Sequence, residues 1–152
     1  MTEGPPPERI PGIVVVRELV AQAPDAAVML IEARSYSQGC LVELAAVARP
    51  ATGAGSPVVG VDFGAGMHPL DGWHADRAVR RLPDETGATG GADGIAGTTG
   101  IRVRLWMAPL PPVEGVHLVI DWPERGIHAQ RWFWAADGAR YAAWESFPCL
   151  PA

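Results

Sequence analysis

Residues 101–107 read IRVRLWM, and the fold class turns on this stretch. Ile101, Val103, Leu105 and Met107 alternate with Arg102, Arg104 and Trp106, the period of two that sends alternate side chains to opposite faces of a β-strand. The APLPP that follows at 108–112 cannot continue a ladder, because proline has no N–H to donate. Residues 116–122 (VHLVIDW) restart the alternation, with Val116, Leu118, Ile120 and Trp122 set against His117, Val119 and Asp121. A four-residue turn, Pro123 to Gly126, then leads into a further strand at 127–134 (IHAQRWFW).

The same punctuation runs back toward the N-terminus. Residues 13–19 (IVVVREL) form a β-branched run, Pro24 and Asp25 break it, and 27–36 (AVMLIEARSY) resumes it. Ser37-Gln38-Gly39 reads as a turn, with Gly39 free to take positive φ. Residues 40–49 (CLVELAAVAR) suit a helix on propensity alone, but the short turn before them and Pro50 after them predict a hairpin partner. Further strands are expected at 58–63 (VVGVDF) and 73–81. Residues 83–100, with glycine at 87, 90, 91, 94, 97 and 100, read as a long structureless loop. Residues 1–12 read as a loose Pro-rich arm and 148–152 as a tail. Asp137 is a candidate N-cap for a short C-terminal helix at 138–146 (GARYAAWES). Short strands separated by Gly and Pro, without long amphipathic helices, predict an all-β fold: a single antiparallel β-sandwich of about seven or eight strands over residues 13–147.

Composition narrows the function classes. With 152 residues the chain fits one domain, and 48% apolar content is too rich for wholesale disorder. No apolar run approaches the ~18 residues of a membrane span, so no membrane association is expected. A net charge of −5, with every basic residue an arginine, argues against nucleic acid as a partner. The opening MTEGPPPERIPG carries acid and proline where a secretory signal carries basic and apolar residues, which predicts a cytoplasmic protein. Cys40 and Cys149 form no CxxC pair and are expected as free thiols.

Residues with chemical potential are scattered. His68, Asp71, His74 and Asp76 are the densest group of metal-type ligands; three such N/O donors with one open position would suit a catalytic zinc. The spacing matches no metal motif, and surface histidines around an Asp71-Gly72 turn are the plainer reading. Six tryptophans invite a stacking surface for sugars or small ligands, either from Trp132 and Trp134 on one strand face or from Trp106 beside Arg102 and Arg104. Against this, tryptophans fill cores, and the two arginines serve equally well as a solvated stripe. The Gly-rich loop lacks the Lys-Ser/Thr ending of a phosphate loop, and no serine sits in GxSxG. His117 and Asp121 lie on one strand about 13 Å apart, too far for a dyad. No catalytic set and no cofactor is indicated.

Two stretches, EARSYSQGCLVELAAVAR at 32–49 and LWMAPLPPVEGVHLVIDWPERGI at 105–127, resemble corresponding segments in a set of short actinomycete proteins with no assigned activity. Residues 13–49 and 101–147 follow that outline, with Met107-Ala108 between Trp106 and Pro109 as a departure. The resemblance implies a β-rich cytoplasmic domain and transfers no site residues. The function expected is a non-enzymatic module that binds a protein partner. The alternatives are a carbohydrate or small-ligand binder using Arg102, Arg104 and Trp106, and a metal-dependent enzyme using the His68–Asp76 cluster.

Overall fold

Alternating and β-branched runs separated by turn residues give an all-β, antiparallel architecture. The computed structural model of the protein describes residues 4–49, 55, 57–62, 67–68, 72–74, 77–88, 99–108, 110, 116–133 and 147–148. In chain order the strands are β1 (Arg9–Ile10), β2 (Gly12–Ala23), β3 (Ala26–Ser35), β4 (Cys40–Ala48), β5 (Val58–Asp62), β6 (Met67–His68), β7 (Gly72–His74), β8 (Arg77–Arg81), β9 (Glu85–Ala88), β10 (Thr99–Ala108), β11 (Val116–Trp122), β12 (Ile127–Phe133) and β13 (Phe147–Pro148). A seven-stranded sheet runs β2-β3-β4-β10-β8-β7, with β9 also paired to β10; a four-stranded sheet runs β12-β11-β5-β6; β1 pairs with β13.

The IRVRLWM stretch lies in β10, the strand through which the large sheet is threaded. One edge of β10 pairs with β4 from Thr99 opposite Ala48 to Met107 opposite Cys40. Its other edge takes β8 at Leu105–Ala108 and β9 at Thr99–Arg102, end to end. Val103, Leu105 and Met107 are buried, together with Val28, Leu30, Val42 and Leu44 from β3 and β4. Val59, Leu118, Ile120, Trp122 and Ile127 of the four-stranded sheet belong to the same apolar cluster. The two antiparallel sheets thus contribute to one apolar core.

Three arginines tie the sheets together. Arg125, in the one-turn 3-10 helix at Pro123–Arg125, donates to Asp25 Oδ2 at 2.7 Å and to the Arg49 carbonyl at 2.7 Å. It thereby holds the β11–β12 turn against the β2–β3 turn and the end of β4. Pro123 presets the first position of this helix, and Gly126 ends it at φ 68°, in the left-handed region that glycine adopts without a Cβ penalty. Arg81 forms a two-point pair with Asp84 and donates to the Pro57 carbonyl at 2.8 Å, tying β8 to the start of β5. Arg131 of β12 pairs with Glu18 of β2.

Several expectations are revised. Residues 73–81 are not one strand: β7 and β8 form a tight hairpin, with Trp73 opposite Ala78 and His74 opposite Arg77. The loop expected at 83–100 contains β9, with Thr86 opposite Ile101 and Gly87 opposite Gly100. Low-complexity residues still carry main-chain donors and acceptors, and β10 supplies them with partners. The arm is not wholly loose: Arg9 pairs with Pro148 and Ile10 with Phe147. The C-terminal helix expected at 138–146 lies outside the described residues. Gly39 does not take positive φ. It is required because a Cβ there would lie 2.4 Å from the Met107 carbonyl oxygen and 2.7 Å from the Trp106 indole.

Candidate functional site

On the large sheet, the face opposite the shared core is largely occupied by its own side chains. Arg102, Arg104 and Trp106 lie on this side of β10, as the alternation predicts. Trp106, however, is fully buried, packed with Leu41 and Ala108 and edge-on to the Tyr36 ring at 5.8 Å. It presents no open face for a ligand to stack on. The two arginines are also engaged. Arg102 Nη1 lies 3.2 Å from Oε1 of the buried Glu43, and Arg104 pairs with Glu85 at 3.4 Å and donates to the Pro83 carbonyl at 3.1 Å. Arg34 approaches Glu43 at 3.9 Å and Glu32 at 2.8 Å. The hydrogen bond that Arg34 Nε donates to the Glu32 carboxylate holds the guanidinium above its ordinary pKa. The register explains the network, since Glu43 stands opposite both Glu32 and Arg104, so arginines from β3 and β10 converge on a pair of neighbouring carboxylates. An anion arriving here would have to displace acids already in place.

Two of the four candidate metal ligands fall among the described residues. His68 belongs to β6 at the end of the four-stranded sheet, and His74 closes β7 at the end of the seven-stranded sheet. Asp71 and Asp76 lie outside the described residues. Among the described residues no group of three His, Cys, Asp or Glu side chains is placed to hold a metal ion. Among those residues, too, no helix is long and apolar enough to cross a membrane.

Cys40 is a free thiol buried on the core side of β4. Burial pushes it up to about 11, against a weaker opposing hydrogen bond from Ser35. At neutral pH it stays protonated and unreactive.

Two surfaces remain open. The first is β2, an outer strand of the large sheet, where Ile13 (54%), Val15 (62%) and Leu19 (46%) project into solvent. Register shifts between Val15 and Glu18 and between Leu19 and Ala21 interrupt its pairing with β3, and Arg17 takes φ 52° at the first of them. Such irregularities twist an edge and limit how far another strand can follow it.

The second is the outer side of β11 and β12. The turn places His117 opposite Trp132, Val119 opposite Gln130 and Asp121 opposite His128. Trp132 is 44% exposed, and its indole stacks on the His117 imidazole at 5.1 Å with 16° between the planes. Asp121 and His128, both well exposed, approach to 3.6 Å. Sequence spacing along one strand excludes a His117–Asp121 dyad; the cross-strand Asp121–His128 pair becomes visible only by counting register through the Pro123–Gly126 turn. Of the two tryptophan settings considered from sequence, the exposed one is on β12 and the buried one on β10. Trp134 lies outside the described residues.

Comparison with protein-family models, with curated proteins and with solved structures returns no match for this chain. The two open surfaces are the features of the described residues available for recognising a ligand or partner.

Proposed function

We propose that the protein is a non-enzymatic binding module that takes up an extended segment of a partner protein alongside β2. The observation that carries this reading is the solvent-facing apolar row Ile13, Val15 and Leu19. Edge strands that stay apolar and long tend to recruit another strand, and natural proteins usually blunt them when no partner exists. Here the blunting comes only after Val15, at the irregular step carrying Arg17. That leaves the regular stretch Gly12–Val15 as the docking rail.

Charge favours a different protein over a second copy of this chain. Arg17 is exposed between Val15 and Leu19, where the regular stretch stops, and has no ion-pair partner among the described residues. The neighbouring Glu18, which a symmetric copy would have to offer it, is already held by Arg131. The segment that fits therefore alternates apolar residues and carries an acid at one end.

Titration of extended eight-residue peptides of that pattern, followed by fluorescence polarisation, tests the proposal. Binding should weaken at least tenfold in Val15→Lys while the thermal midpoint stays unchanged. If no peptide binds, or Val15→Lys binds equally well, the reading fails. A concentration-dependent dimer abolished by the same substitution also overturns it, in favour of self-association.

A further inference from the structure

We infer that the outer side of β11 and β12 is a binding site for a neutral, extended oligosaccharide, with Trp132 as its stacking surface. It lies on the other sheet from the peptide rail and does not depend on it. A tryptophan at the surface loses the burial that normally explains its presence, and exposed aromatic groups are where ligand contact concentrates. The His117 imidazole lies nearly parallel against one side of Trp132, a contact that restricts rotation of the indole. A ring restricted in advance loses little freedom when a sugar settles on it.

The relief of the surface fits a chain laid along the strands. Trp132 and His117 form a raised end, and Gln130 opposite Val119 forms the middle. On β5, Gly60 stands opposite Val119 and adds no side chain there, so the middle is the low point. Asp121 and His128 close the far end, four residues or roughly 13 Å along β12 from Trp132. The centre thus offers a low floor bordered by an amide, a carboxylate and an imidazole, groups that between them donate to and accept from hydroxyls.

Charge selects the ligand class. The one arginine described near this end of β12, Arg131, points to Glu18 instead. With Asp121 as its carboxylate, the face disfavours phosphates and acidic sugars and suits an uncharged polyol. A pyranose whose hydroxyls are all equatorial shows flat C–H faces to an indole, and β-1,4 linkage keeps such rings in a straight line. The structure therefore points to β-1,4-linked neutral hexoses or pentoses.

Cellohexaose and xylohexaose are the probes, with maltohexaose as the curved counterpart, titrated while the Trp132 Nε1–H resonance is followed by NMR. Saturable shifts at Trp132 and Gln130 are expected with the straight chains. Affinity should fall at least tenfold in Trp132→Ala and about threefold in Gln130→Ala. Unchanged amide spectra in the remainder of the protein would show that both variants fold. Absence of saturable shifts at about 10 mM of either straight sugar, tenfold above a millimolar Kd, or undiminished binding by Trp132→Ala, overturns the inference. So does equal affinity for maltohexaose, since it removes the geometric selection.

Discussion

Trp106 and Trp132 both lie on the sides of their sheets that face away from the shared core, yet their environments are opposite. Trp106 is enclosed by Tyr36, Leu41 and Ala108, and the arginines on its strand are neutralised by Glu43 and Glu85. Trp132 stays 44% exposed on a histidine, beside polar groups with accessible surface. The difference follows from the position of each strand in its sheet. β10 has neighbours on both edges and a hairpin turn crossing its end at Gly39, whereas β12 ends its sheet and, among the described strands, is hydrogen-bonded to β11 alone. The same residue type therefore serves as filler in one place and as contact surface in the other.

The sharpest way to break this contrast is to truncate each indole. Trp106→Ala should cost about 3–5 kcal/mol of unfolding free energy, because a large, fully enclosed side chain leaves a cavity behind. Trp132→Ala should stay within about 0.5 kcal/mol, as expected for a surface position. Chemical denaturation of the two variants decides the matter; equal losses would mean that Trp132 is structural. Gly39→Ala should fall between them, costing about 1–3 kcal/mol, since its new methyl meets the rigid Met107 carbonyl and the Trp106 ring.

A second test concerns the enclosed side alone. Burial raises the Cys40 thiol from 9.0 to about 11, so the folded protein retains a proton that the unfolded chain releases first. This stabilising preference is complete below pH 9 and is lost as pH rises toward 11, by an amount of order 2 kcal/mol. Stability measured across that window should fall more steeply in the native protein than in Cys40→Ala. Parallel curves would show that the thiol is not sealed in the core.

The smallest effect is spectroscopic. Acrylamide should quench a smaller fraction of the fluorescence in Trp132→Phe than in the native protein, because an accessible indole has been removed. Trp106→Phe should raise the quenchable fraction. A reversal of the two would reverse the assignment of filler and contact surface.

Much of the fold was legible in the sequence because it depends on local period. The alternation at 101–107 and 116–122 marks both strands and the two faces of each, and the turns at Pro24-Asp25 and Ser37–Gly39 are announced by their residues. Legibility failed where a partner strand decides the outcome. The small residues of β9 carry no apolar pattern, yet they pair with β10. Residues 73–81 look like one irregular strand until β7 folds back on β8. The requirement for glycine at 39 comes from β10, more than sixty residues away.

The candidate surfaces divide in the same way. By itself the sequence determined the all-β class, the antiparallel turns and the faces to which Arg102, Arg104 and Trp106 belong, because side-chain alternation is a property of each strand. Only the tertiary structure decided which of those faces is covered. It brought Glu43 to the arginines, enclosed Trp106 and set Asp121 beside His128, while leaving Ile13, Val15 and Trp132 in solvent. Exposure depends on which other segments pack nearby, and no local pattern encodes that.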